Sequence, residues 1–132
     1  MTIVVDTSVW SNTLRRKNQP DDPQSEKLAS AIRQTQPIAL LGVILQEILQ
    51  GIRNPEHFER VKAHLAVFPL ISLDRDDFVA AAELRNACAG SGVQASTIDF
   101  QIAAACVRHN CALLTTDQDF LHISKCCPLQ LL

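Results

Sequence analysis

Apolar and polar positions fall into blocks along the chain. Short runs rich in β-branched residues or leucine recur at Ile3-Val4-Val5, Ile38-Ala39-Leu40-Leu41, Leu70-Ile71-Ser72, Ala112-Leu113-Leu114-Thr115 and Leu129-Gln130-Leu131. Each has strand length and predicts a buried or partly buried strand. The segments between them carry helix signals. A short helix is expected from about Ser8 to Arg16. Asp22-Pro23 supplies an N-cap and a first helical position for a helix running to about Gln34. Residues Val43 to Arg53 are apolar nearly all round, broken only by Gln46, Glu47 and Gln50, and predict a buried helix. Pro55 opens another, to about Val67. Asp74 caps a helix through Cys88, and Asp77 three residues on completes a capping-box pattern. Ser96 or Thr97 caps a helix to about His109, and a short helix covers roughly Gln118 to Ser124.

Strands alternating with helices predict an α/β fold with a parallel sheet covered on both faces. In such sheets ligands bind beyond the carboxyl ends of the strands. Polar residues just after strands are therefore the first candidates for a site, and these are Asp6 and Asp117. Asp6 could simply cap the next helix, but Thr7 and Ser8 would serve as well. Glu47 sits within Val43-Ile44-Leu45-Gln46-Glu47-Ile48-Leu49, where a carboxylate is costly to bury unless something positive meets it. A narrow wet stripe through Gln46, Glu47 and Gln50 is the competing explanation. Asp99 follows Ser96 at capping-box spacing, which gives it a structural role on its own. Thr116 and Asp119 have the same spacing, so Asp119 has a structural role and Asp117 is the better site candidate.

Length and composition narrow the picture. A chain of 132 residues, 47% hydrophobic and 20% charged, is one globular domain able to bury its own core. The loops at 17–23 and 89–95 are too short to divide it. No apolar run reaches membrane-spanning length, and the N-terminus lacks a secretory pattern, so the expected location is the cytoplasm. Five cysteines without a signal segment argue against a disulfide framework. Cys106, His109 and Cys111 lie close together, but no Cys-x-x-Cys pair supports zinc. The net charge is −2, unusual for a nucleic-acid enzyme. Setting the four candidate acids aside against a cation leaves ten acidic residues facing twelve basic ones. The densest basic run is Arg15-Arg16-Lys17, a solvated loop or a phosphate contact.

Clustered carboxylates repel. At roughly 5 Å and an effective dielectric of about 20, one pair costs about 3 kcal/mol. Several kept together imply a bound cation, and all-oxygen ligation suits Mg²⁺ or Mn²⁺ rather than Zn²⁺.

Four segments then resemble the PIN domain, and in particular the VapC-type toxins of bacterial toxin–antitoxin pairs. They are Ile3-Val4-Val5-Asp6-Thr7-Ser8-Val9-Trp10, Leu45-Gln46-Glu47-Ile48-Leu49-Gln50-Gly51, Thr97-Ile98-Asp99-Phe100-Gln101-Ile102-Ala103-Ala104 and Leu113-Leu114-Thr115-Thr116-Asp117-Gln118-Asp119-Phe120. They occur in the family's order and span nearly the whole chain. The resemblance implies a three-layer α/β/α fold with a five-stranded parallel sheet. It implies a metal-dependent endoribonuclease acting on structured RNA such as tRNA or rRNA, a cognate antitoxin and a homodimer. By position, Asp6 and Asp99 are the principal Mg²⁺ ligands, Glu47 and Asp117 complete the acidic set, and Thr7 and Thr115 flank it. The family divides over which acid near Asp117 matters, so Asp119 stays open.

Three rival readings remain. A receiver-like module would need a Lys after a later strand, where this chain has Asp117 or its last residues. A haloacid-dehalogenase-type phosphatase would need Asp-x-Asp after the first strand, where this chain has Asp6-Thr7-Ser8. A catalytically silent interaction module would use apolar residues such as Leu28, Ile32, Phe58 and Leu65 as a groove, unless these are ordinary core.

Overall fold

The computed structural model describes residues 1–15 and 22–132, with the Arg15 side chain outside that set. Most of the basic run and of the loop at 17–23 therefore lies outside the described residues. Five strands form one parallel sheet: β1 (Thr2–Val5), β2 (Ile38–Leu41), β3 (Leu70–Ile71), β4 (Cys111–Leu114) and β5 (Gln130–Leu131). Their order is β3-β2-β1-β4-β5. The helices are α1 (Thr7–Arg15), α2 (Pro23–Arg33), α3 (Gly42–Gln50), α4 (Pro55–Leu65), α5 (Arg75–Gly90), α6 (Thr97–Arg108) and α7 (Gln118–Ile123). The expected α/β/α architecture with a five-stranded parallel sheet is the one formed.

The layers follow from chain direction. From β1 to β3 the chain steps one way across the sheet, and from β3 to β4 it crosses back. Right-handed crossovers then place α1 to α4 on one face and α5 to α7 on the other. Packing agrees: α1 meets α2 and α3, while α5 meets α6, and α6 meets β4 and α7. Strands β1, β2 and β4 are buried almost throughout. That is why they read as continuous apolar runs rather than alternating ones. The two edge strands are only two residues long, which blunts the exposed edges.

Helix ends depart from expectation by local chemistry. The helix expected over 43–53 stops at Gln50. Asn54 is extended, because it caps α4 and precedes Pro55, so the chain must leave helical geometry before it. Among the candidate groove residues, Leu28 and Leu65 are core at 0% and 1% exposure. Phe58 is half-buried, and only Ile32 stands open. The chain reverses its direction across the sheet between β1 and β4. The crevice beyond their carboxyl ends is where this topology places a ligand.

Candidate active site

Asp6 is the first residue past β1. Its N–H donates to the Leu114 carbonyl at 2.9 Å, and its carbonyl accepts from Val9 and Trp10 at 3.1 and 3.2 Å. One residue thus ends a strand ladder and begins a helix, which fixes its backbone from both sides. The carboxylate is buried, at 7% exposure. Oδ1 accepts the Thr7 N–H at 2.8 Å. Oδ2 accepts the Thr115 hydroxyl at 2.8 Å and the Ser8 hydroxyl at 3.3 Å. Burial nevertheless pushes the Asp6 carboxyl above the ordinary carboxylate range, and Asp117 adds to the rise against those three bonds. The bond to Thr7 is not the N2 or N3 bond of a capping side chain, so capping does not account for Asp6.

Thr7 has two duties. Its N–H holds Asp6, and its hydroxyl donates to Glu47 Oε1 at 2.9 Å. Glu47 lies on α3, half-buried beside the buried Ile44 and Ile48. Gln46 and Gln50 are exposed, so the wet stripe exists, and Glu47 is set at its inner border.

Asp99 stands in the first turn of α6. The capping box forms in full: Ser96 Oγ accepts the Asp99 N–H at 3.1 Å, and Asp99 Oδ2 accepts the Ser96 N–H at 3.1 Å. Capping and site membership are not exclusive, because one carboxylate oxygen serves the cap and the other remains. Partial burial raises the Asp99 carboxyl above the ordinary range, and Asp117 and Asp119 add to it.

At α7 the structure reverses the capping assignment. The Thr116–Asp119 box does not form. Asp117 is the N-cap, accepting the Asp119 N–H on Oδ1 at 2.9 Å. The Asp117 N–H donates to Thr115 Oγ1 at 3.0 Å. Asp119 is thereby released from capping. One carboxylate oxygen from each of Asp99, Asp117 and Asp119 lies within 4.8 Å of the others. The acid that sequence spacing assigned to structure therefore stands in the cluster. The signal that could have found it is the pair Asp117-x-Asp119 directly after a buried strand, since an acid at the N-cap can accept the N–H of the acid two residues on.

Four candidates thus fall into two linked groups. Asp99 and Asp117 stand together with Asp119. Asp6 and Glu47 are joined through Thr7, and Asp117 raises the carboxyls of both Asp6 and Asp99. Thr115 links the groups, its hydroxyl donating to Asp6 and accepting from Asp117. An all-carboxylate donor set, in which burial first and then Asp117 raise the Asp6 and Asp99 carboxyls, is what a hard divalent cation fits. The zinc alternative is not assembled: Cys106 and Cys111 are core, and His109 turns to Asp77 at 3.0 Å.

A PIN domain family model matches residues 3–125. The chain belongs to the PIN domain family. PIN domains are generally nucleases. No curated protein sequence matches the chain. Among solved structures, this PIN domain resembles DNA-bound VapBC from Salmonella typhimurium, with a TM-score of 0.80 at 14% identity, covering 100% of this chain and 97% of that one. VapBC2 from Rickettsia felis, bound to a DNA fragment from its promoter, gives 0.79 at 16%, covering 100% and 98%. A toxin–antitoxin complex from Klebsiella pneumoniae gives 0.69 at 18%, covering 89% of each chain. At these identities the likeness establishes the shared fold. Among the described residues, no helix is long and apolar enough to cross a membrane.

Proposed function

We propose that this PIN domain is a metal-dependent endoribonuclease, the VapC-type toxin of a toxin–antitoxin pair, acting in the cytoplasm. The observation that carries the reading is the convergence of Asp99, Asp117 and Asp119 beside a buried Asp6 at the strand-order reversal. The resemblance to toxin–antitoxin and VapBC structures supports a cognate antitoxin as partner, and the homodimer is what the VapC resemblance of the sequence motifs implies. Structured RNA, tRNA or rRNA, is the substrate class that the VapC resemblance supports.

Asp6, Glu47, Asp99 and Asp117 would hold Mg²⁺ or Mn²⁺, with Asp119 as a fifth acid. When bound, the cation supplies positive charge to the scissile phosphate and a more acidic water. The chain's own residues do the rest. Asp6 Oδ2 already accepts two hydroxyls, so its capacity is spent there; Oδ1 accepts one N–H and keeps a lone pair for ligation. Glu47, held by Thr7 on Oε1, offers its other oxygen to orient water or accept its proton. Thr115 fixes Asp6 and Asp117 in mutual register.

Thr115 is therefore a positioning residue. Thr115→Val keeps the shape but removes the donor to Asp6 and the acceptor for Asp117. RNA cleavage should fall by roughly 10- to 100-fold, as for partners that orient metal ligands. Unchanged cleavage would assign Thr115 to packing alone.

Cation binding should be visible without turnover. Titrating Mg²⁺ or Mn²⁺ into wild type should raise the thermal midpoint, because the ligand binds only the folded state. Asp99→Asn should flatten that response. An equal rise in both proteins would move the metal away from Asp99. The activity itself is tested by inducing the chain in a host and mapping new RNA 5′ ends beside an Asp99→Asn control. Identical maps from the two would refute the nuclease reading.

A further inference from the structure

Three of the five cysteines gather at one place, away from the acids. Cys88 is in the last turn of α5, and Cys126 and Cys127 lie in the turn that follows α7. Cys88 is fully buried, while Cys126 and Cys127 are half-buried against the same core. Thiol meets thiol between Cys88 and Cys126, with Cys127 beside them. Their backbones differ in freedom. Cys88 is held at the helix end, its carbonyl accepting the Ser91 and Val93 N–H groups at 3.0 Å each. Cys126 belongs to a turn closed by its own N–H on the Ile123 carbonyl at 2.9 Å, so it can close on a fixed partner without breaking a helix or a strand.

The chemistry of the three thiols separates their roles. Thiolates, not thiols, react with oxidants, and only where an oxidant can reach them. Burial first, and then the Cys126 thiol, push the Cys88 thiol up to about 12. Burial raises Cys127 as well, and its S–H donates to the Ile123 carbonyl at 3.5 Å. Cys126 is therefore the member placed to meet an oxidant first, with Cys88 directly behind it. The remaining two cysteines, Cys106 on α6 and Cys111 on β4, are 1% and 4% exposed, and both are set in regular structure.

We propose that Cys126 and Cys88 form a reversible disulfide under peroxide, with Cys126 meeting the oxidant and Cys88 resolving it. In the first step the Cys126 sulfur bonds one oxygen of hydrogen peroxide and the O–O bond breaks. The thiol proton leaves with the other oxygen as water, and Cys126 is a sulfenic acid. In the second step the Cys88 sulfur attacks the Cys126 sulfur and the S–O bond breaks. The Cys88 proton leaves with the hydroxyl as a second water. Two electrons have passed from the sulfur pair to the peroxide, and a dithiol reductant returns them by exchange. In a reducing compartment such a pair is oxidised transiently rather than kept as a structural bridge. The bond joins α5 to the turn after α7. It closes a loop that contains α6, β4 and α7, and with them Asp99, Asp117 and Asp119.

The test treats the full, metal-free chain with hydrogen peroxide and maps its disulfides by mass spectrometry of peptides. Wild type should give one link within the chain, Cys88 to Cys126, that dithiothreitol reverses. Closing that loop should raise the thermal midpoint by roughly 5–10 °C. Cys106 and Cys111 should stay reduced until the chain is unfolded. Cys88→Ala should stop at the Cys126 sulfenic acid, trapped as an adduct with a 1,3-diketone, and show no rise in midpoint. Cys126→Ser should give neither product. The wild-type map decides without any variant: a main link through Cys127 or between Cys106 and Cys111, links only between copies, or Cys126 oxidised past sulfenic acid with Cys88 still free would each overturn the inference. An oxidised chain no more stable than the reduced one would overturn it too, since the bond would then not fit the native fold.

Discussion

Asp6→Asn is expected to lower RNA cleavage by roughly 10²- to 10³-fold or more, yet leave the metal-free protein more stable than wild type at neutral pH. Both effects have one source. The Asp6 carboxylate is buried beside Asp117, and its carboxyl is raised above the ordinary range despite three hydrogen bonds. A group raised in the folded state takes up its proton there before the unfolded chain does. Its contribution is fully present at a pH below the unfolded pKa and is lost as pH rises through the folded one. Metal-free wild type should therefore lose stability relative to Asp6→Asn as pH climbs from about 4 towards 7. The amide removes the charge and keeps an acceptor for Thr7. Adding Mg²⁺ should reverse the ranking, since the cation stabilises only the protein that still binds it. Urea unfolding across that pH range, with EDTA and with Mg²⁺, checks the stability arm. An Asp6→Asn protein that cleaves RNA at the wild-type rate would defeat the assignment of Asp6. One that is less stable than wild type at every pH would defeat the account of its burial.

The second large effect lies away from the acids. Asp77→Ala should lower stability by about 2–3 kcal/mol at neutral pH. Asp77 is 4% exposed and, among the described residues, is the buried carboxylate outside the site. Oδ1 accepts Arg108 Nε at 2.9 Å and faces His109 Nε2 at 3.0 Å, while Oδ2 accepts the Asp74 N–H at 2.9 Å. It thus closes the capping box of α5 and ties that helix to the C-terminal end of α6, whose first turn carries Asp99. The figure is kept below the full penalty for an orphaned buried pair because Arg108 and His109, 41% and 33% exposed, can turn to water. Burial alone would raise the Asp77 carboxyl; the Asp74 N–H, Arg108 and His109 outweigh it and hold it below the ordinary range. A carboxyl depressed in the folded state stabilises above its unfolded pKa and stops doing so as pH falls through the folded one. The gap between wild type and Asp77→Ala should accordingly narrow as pH drops below about 4. A shift under 0.5 kcal/mol at pH 7, roughly the size of an ordinary surface substitution, would mean that the ion pair is ornamental.

Sequence alone determined the scaffold. Continuous apolar runs at Ile3–Val5, Ile38–Leu41 and Ala112–Leu114 specify strands buried on both faces, because an alternating pattern would leave one face wet. Their separation by helix-length segments specifies a parallel sheet, and the strand-end rule put Asp6 and Asp117 at its rim. Tertiary structure alone decided how the acids are used. Whether Asp117 or Asp119 caps α7 depends on Thr115, whose hydroxyl is held in place by Asp6, 109 positions away in sequence. Spacing within a turn cannot register such a bond, so it paired Thr116 with Asp119 in a capping box that does not form. Leu28 and Leu65 likewise look like an open face in a helical projection and are core because the sheet and its neighbouring helices cover them. Local chemistry sets which elements form. The position of a carboxylate relative to three others is set by register across the sheet, where Val5 faces Leu114 and the two strand ends carry their acids to one place.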